Sequence, residues 1–304
     1  MERRKALRAS GRSREAPLRA VLTLAGEGTR MLPWSRGLRK EFLPLFDVGR
    51  DHEPVLKPVA HIVLETMMGA GVTDVTLVVQ PRDRATVENY FRIDRAFLAR
   101  HAGHSDRLAE TRAFYDRLRR LRLRFALQPR PSGFGAAVLC AAPEVGSAPF
   151  LLHACDAVLD EPHRGALPRA MAELLRTEEL DAVLLVRRVR DPRRYGVVEA
   201  RAAGRYRQWR RLEVERMEEK PARPRSNWAA TAVYAFSPRL FGALRQVHAR
   251  RPSAELEVTA GIEELLGSGG RIAALVAAAP ARWRSVGSPD GFYRALRATR
   301  AAAE

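Results

Sequence analysis

A short apolar run, Ala20-Val-Leu-Thr-Leu-Ala25, leads directly into Gly26-Glu27-Gly28-Thr29-Arg30. Glycines after a buried strand let backbone N–H groups converge on an anion, and the guanidinium at the end of the loop adds a two-pronged fork for phosphate oxygens. The same pattern also makes a plain turn. It lacks the third glycine of a dinucleotide fingerprint, because Met31 stands in that place. Further along, Asp156 closes a second apolar run, Pro149 to Cys155.

Lysine usage sharpens the search for phosphate chemistry. Of 53 basic residues only Lys5, Lys40, Lys57 and Lys220 are lysines. A compact ammonium and a planar guanidinium are not interchangeable close to a phosphate, so the few lysines are the positions to ask about. Lys5 falls in a basic N-terminal stretch, and Lys57 stands before Pro58. His101 and His104 have metal-ligand spacing but no cysteine or acidic company, so zinc is not expected there. Cys140, on an alanine-rich segment, reads as core.

The elements that must hold these residues alternate. Strands are expected at 20–25, 75–79, 123–128, 149–155 and 182–187. Helices are expected at 59–71, from 84, within 104–121, at 135–142 and at 167–175. Such alternation predicts an α/β, Rossmann-like core with a mostly parallel central sheet and helices on both faces. The rest is richer in strands, expected at 195–199, 206–210 and 228–236. Helices follow at 238–249, at 255–266 and from Pro289.

Composition removes other classes. The 304 residues are 46% hydrophobic, ample for a sizeable core, and no apolar run approaches the ~18 residues of a membrane span. No apolar signal core follows the basic N-terminus, and two cysteines make no disulfide framework, so a soluble cytoplasmic protein is expected. The net charge of +18 comes from arginines spread along the whole chain, without the aromatic-rich basic stripe of a nucleic-acid reader.

Several segments then fall in a meaningful order. Gly28-Thr-Arg-Met-Leu-Pro33 precedes Lys40-Glu-Phe-Leu-Pro44, and Gln128 stands before Gly133-Phe-Gly135. Tyr195-Gly196-Val-Val-Glu199, Glu219-Lys220-Pro221 and Val286-Gly-Ser-Pro289 follow Asp156. Over residues 19 to 300 this series resembles the bacterial UTP–glucose-1-phosphate uridylyltransferases, members of the sugar-1-phosphate nucleotidylyltransferase family. The resemblance implies a nucleotidyltransferase fold: a basic disordered tail at 1–18 and one domain at 19–304. That domain would join a nucleotide-binding half, about 19–190, to a small strand-rich sugar-phosphate-binding half, about 191–304.

It also implies roles. Ala25, Gly26, Glu27, Gly28, Thr29, Gln128, Gly133 and Gly135 would bind nucleotide. Arg30, Lys40 and Lys220 would be the catalytic cations. Gly196, Glu219 and Lys220 would hold the sugar phosphate, and Asp156 would hold Mg²⁺. The implied reaction joins UTP to a sugar 1-phosphate, giving a UDP-sugar and pyrophosphate, in a homo-oligomer (dimer or tetramer) that engages neither nucleic acid nor membrane. Thymidylyl transfer and a catalytically weakened nucleotide-binding paralogue are the alternatives. The chain departs from the family pattern at Ser285, where a second metal-binding aspartate is usual, with Arg284 beside it expected to repel a cation. It departs again at Ala232, where a glycine is usual, and at Glu27, a carboxylate inside the phosphate loop.

Overall fold

The computed structural model describes residues 17–103, 105–278 and 281–303. The tail expected at 1–18 therefore lies outside the described residues up to residue 16, as does His104. The apolar runs become strands β1 (Arg19–Thr23), β4 (Asp74–Val79), β5 (Arg122–Leu127) and β6 (Phe150–Ala154), with a hairpin of β2 (Pro44–Val48) and β3 (Pro54–Pro58) inserted after the first loop. β5, β4, β1 and β6 lie side by side in parallel. Side chains of β1 alternate between two cores, Ala20 and Leu22 entering one and Val21 the other, and β1, β4 and β6 are buried on both faces, while β5 is an edge strand with Arg122 and Leu127 exposed. Helices α1 (Val59–Gly69), α2 (Arg84–Phe91), α3 (Arg95–Arg100) and α4 (Ser105–Leu118) precede β5, and α5 (Phe134–Cys140) and α6 (Ala142–Val145) follow it.

Beyond β6 come β7 (Ala157–Asp160), α7 (Ala166–Thr177), β8 (Ala182–Arg188), β9 (Gly196–Tyr206), β10 (Trp209–Glu219), β11 (Trp228–Phe236), α8 (Arg239–Arg250), α9 (Val258–Gly267), β12 (Ile272–Val276), β13 (Arg282–Ser285) and α10 (Pro289–Ala303). One nine-stranded sheet runs β5-β4-β1-β6-β11-β8-β12-β10-β9. It is mixed: β11 pairs antiparallel with both β6 and β8, and β10 with both β12 and β9. The mostly parallel sheet expected from the sequence is met in full only at β5-β4-β1-β6; in the other half β8 and β12 are the one parallel pair among the described residues. Strand direction depends on how a long connection returns, which local patterning does not record. The strand expected at 206–210 straddles the turn of the β9–β10 hairpin: β9 ends at Tyr206, β10 begins at Trp209, and Arg207 between them adopts a left-handed φ of 54°. No helix among the described residues is long and apolar enough to cross a membrane.

This topology gathers the sequence signals. In a parallel sheet the loops after the strands emerge on one edge, which is where such folds bind ligands. There β5 delivers Gln128, β4 delivers Gln80, β1 delivers the 25–30 loop and β6 delivers Asp156. β13 pairs with β7 and sets Ser285 opposite Ala157, next to Asp156.

Candidate active site

The 25–30 loop is held from behind. Gln80 Nε2 donates to the Ala25 carbonyl at 2.7 Å, Arg39 Nη1 to the Gly26 carbonyl at 2.7 Å and Ser35 Oγ to the Gly28 carbonyl at 2.8 Å. Arg39 is fixed in turn by an ion pair with Asp83. With its carbonyls engaged behind it and Gly28 at φ 66°, the loop is a pre-shaped turn rather than a floppy glycine stretch. None of these three supporting side chains carries a sequence signal, because their function is set by tertiary position alone.

A cavity of about 480 Å³ opens in front of the loop. Ala25 to Arg30, Lys40, Gln128, Gly133 and Asp156 line it, with Glu255 and Glu257 on its wall. Gln128 is buried and donates to the Gly133 carbonyl at 3.3 Å. Gly133 also has a packing reason. A Cβ there would lie 2.3 Å from the Leu256 carbonyl oxygen, and φ is 109°. Gly135 is not among the cavity-lining residues. Its amide donates to that same carbonyl at 2.7 Å, and a Cβ would run into Leu256 and Glu257, so it is a close-packing glycine.

Lys40 is the electrostatic centre. Its ammonium lies 2.7 Å from Asp156 Oδ2 and 3.9 Å from Glu41 Oε1. Burial pulls the Lys40 pKa down, but the charges of Asp156 and Glu41 outweigh it and the net shift is upward, so Lys40 stays charged. Asp156 mirrors this. Burial raises its pKa, and Lys40, helped by Arg30, brings it below the usual carboxylate range. Glu41 lies deeper, with one carboxylate oxygen buried and unpartnered, and burial pushes its pKa up to about 7 despite Lys40. His153 beneath them is fully buried, and burial depresses its pKa to about 4, so it is neutral.

The Glu41 shift sets a pH dependence. The folded chain holds the Glu41 proton more tightly than the unfolded one, so this group's contribution to folding stability falls as pH rises from about 4.5 to about 7. Glu41→Gln is therefore expected to gain stability relative to wild type as pH rises through that window. Chemical denaturation at several pH values measures the difference, and a constant difference rejects the shift.

Ser285 sits where the sequence pattern expects a second carboxylate. A methyl added to Gly287 would lie 3.2 Å from Asp156 Oδ2, 3.3 Å from Ser285 Oγ and 3.0 Å from Arg30 Nη2, so these three groups face one small space. Arg284 is corrected. Its guanidinium hydrogen-bonds Asp160 at 2.7 and 3.0 Å, so its charge is compensated rather than set against a cation.

Gly196, Glu219 and Lys220 lie together beyond the cavity wall. A Cβ on Gly196 would lie 3.3 Å from both Glu219 Oε2 and Thr259 Oγ1, and Thr259 donates to Glu219 at 2.7 Å. Lys220, at φ 43°, pairs with Glu219 at 3.1 Å and is more than half exposed. Burial lowers its pKa, but Glu219, Glu257 and Glu255 together raise it. Glu255 and Glu257 carry no motif in the sequence, and they give this end of the cleft an acidic wall.

A second cavity, of about 510 Å³, adjoins the first. The two share Arg30, Asp156 and Ala232. Ala232 adopts φ 57° where β11 breaks register with β8, a conformation that favours glycine and strains an alanine by about 1–2 kcal/mol. The glycine expected at this position thus has a backbone reason.

Comparison with known proteins fits this arrangement. A glucose-1-phosphate thymidylyltransferase of Neisseria gonorrhoeae is 24% identical over 281 residues, covering 91% of this chain and 81% of its own. A UTP–glucose-1-phosphate uridylyltransferase of Streptococcus pneumoniae serotype 4 is 28% identical over 256 residues, covering 81% and 79%. Among solved structures, a UDP-glucose pyrophosphorylase complexed with UDP-glucose superposes with a TM-score of 0.76 at 22% identity, covering 94% of this chain and 100% of its own. The apo form of a UDP-glucose pyrophosphorylase gives 0.81 at 21% identity, covering 95% and 100%. The nucleotidyl transferase family profile matches residues 19–302, nearly the whole of this chain, and the chain belongs to that family.

Proposed function

We propose that this chain transfers a uridylyl group from UTP to glucose 1-phosphate or a related sugar 1-phosphate. The observation that carries the reading is the convergence of Arg30, Lys40 and Asp156 in front of a pre-shaped glycine loop, with an acidic wall opposite. The loop amides and Arg30 take the inner end of the triphosphate, and Gln128 and Gly133 face the base. Lys220 takes the sugar phosphate, while Glu219, Glu255 and Glu257 accept hydrogen bonds from sugar hydroxyls. A phosphate oxygen of the sugar attacks the α-phosphorus, the bond from that phosphorus to the bridging oxygen breaks, and pyrophosphate leaves with the bond's electrons. Positioning and fixed positive charge do most of such work.

Among the described residues no three His, Cys, Asp or Glu side chains cluster to cage a metal. The donor set fits an ion that arrives on the nucleotide phosphates and keeps most of its waters, with Asp156 as its protein ligand and Ser285 offering a neutral hydroxyl. Mg²⁺ bound there would neutralise phosphate charge. The cytoplasm and a homo-oligomer are the setting we propose. Thymidylyl transfer is the second reading, favoured by the thymidylyltransferase relative. Weakened turnover is the third, favoured by Ser285 and Ala232.

Pyrophosphate release with Mg²⁺, glucose 1-phosphate and each nucleoside triphosphate in turn is expected to be fastest with UTP. A rate highest with dTTP moves the assignment to thymidylyl transfer. No release with any triphosphate, while UTP still binds, overturns the enzyme reading.

A further inference from the structure

The second cavity carries more positive charge than the proposed reaction needs at its acceptor end. Five arginines line it: Arg30, Arg187, Arg194, Arg284 and Arg294. The acids available to them are already engaged, Asp160 by Arg284 and Asp156 by Lys40. Among the described residues no carboxylate forms an ion pair with Arg30, Arg187, Arg194 or Arg294. Arg187 lies over the rings of Trp283 and Tyr195, its carbon 4.7 and 5.4 Å from their centroids, and its Nη2 donates to the Tyr195 hydroxyl at 3.3 Å. Its Nε and the Trp283 Nε1 are buried donors without a partner. Guanidiniums without an ion-pair partner and idle N–H donors around one cavity are the chemistry of a site for a multiply charged anion.

The position of the cavity says which anion. It joins the nucleotide cavity at Arg30 and Asp156, the phosphate end, and at Ala232, and neither Glu255 nor Glu257 of the acidic wall lines it. Resting on the nucleotidyl-transfer reading, we propose that this arginine cavity is a diphosphate subsite. It takes the β- and γ-phosphates of the bound triphosphate and holds them as pyrophosphate after the bond to the α-phosphorus breaks. Ser285 then has a counterpart. The carboxylate that would fix a second ligand to a metal is missing, and fixed guanidiniums supply the positive charge on the leaving group instead.

Titration calorimetry in a metal chelator tests this without turnover, using pyrophosphate, UTP, UMP and glucose 1-phosphate as probes. Pyrophosphate is expected to bind without Mg²⁺. Arg194→Gln and Arg294→Gln, both exposed positions whose thermal midpoints report folding, are each expected to weaken pyrophosphate and UTP about tenfold. UMP, which lacks the two outer phosphates, is expected to keep its affinity in both variants. Pyrophosphate binding that requires Mg²⁺, or that neither variant weakens, overturns the proposal. So does a loss confined to glucose 1-phosphate, which assigns the cavity to the acceptor. These results leave the uridylyl reading standing if pyrophosphate is still released. Intact pyrophosphate binding with no turnover of any triphosphate removes that reading instead.

Discussion

Lys40→Ala is expected to lower turnover by about 10²- to 10³-fold, the loss typical of removing one fixed charge that acts on a developing anion. The ammonium sits between Asp156 and Glu41, so its removal does more than delete one positive charge. Two mostly buried carboxyls lose their cation beside the space proposed for the triphosphate. Nucleotide affinity is expected to fall as well, because the ionised Asp156 then repels phosphate. Lys40→Arg is not expected to restore the rate. The ammonium is held as a point charge 2.7 Å from Asp156 and 3.9 Å from Glu41, a geometry that a wider planar head does not reproduce. Steady-state pyrophosphate release and nucleotide titration check both variants, and an unchanged rate in Lys40→Ala removes Lys40 from the machinery.

Glu65→Ala is expected to cost about 3–5 kcal/mol of folding stability, the range for breaking a buried ion-pair network by removing one partner. Glu65, on α1, is buried and gathers four donors. Lys57 approaches at 3.0 Å, Arg164 at 2.6 Å and His61 at 3.4 Å, and Arg117 donates a further hydrogen bond. These partners come from β3, the segment before α7, α1 itself and α4, so one carboxylate ties the hairpin and the inserted helices to the core. Burial alone would raise its pKa. His61, Lys57 and Arg164 instead hold it far below the usual carboxylate range. Its folded-state pKa lies below its unfolded one, so its contribution is complete above about pH 4.5 and is lost as pH falls below that value. The variant is thus expected to melt on the order of 10 °C lower at neutral pH, with a gap that narrows in acid. A midpoint within a degree of wild type rejects the network as a stabilising element.

Lys57 shows what the sequence could and could not say. The scarcity of lysine draws attention to few positions, and the structure packs two of them, Lys40 and Lys57, against carboxylates. It does not distinguish a phosphate site from a structural one, because the neighbours of Lys57 are Asp47, Glu65 and Glu110, on three different elements. The glycine loop and the strand before Asp156 were legible because glycine conformation and apolar runs are local properties. Glu41, Glu255 and Glu257 were not, since a carboxyl gains meaning only from the groups folded against it. The β9–β10 hairpin was misplaced for a related reason. Its arginine- and glutamate-rich strands leave one face in solvent, and their weak apolar alternation did not mark where the chain turns.

Between Ala230 and Tyr234 the pairing of β11 with β8 is interrupted, and Thr231 and Ala232 drop out of the ladder. Both residues line the arginine cavity, and Ala232 lines the nucleotide cavity too. On the β11 side the partition between the two chambers is therefore main chain, pinned by the Thr231 hydroxyl, which donates to the Leu185 carbonyl at 3.0 Å. A wall of peptide planes has no rotamers to change. Its thickness and its polar groups are set by backbone geometry, so a substitution at position 232 alters the aperture through φ and a single methyl, not through a swinging side chain.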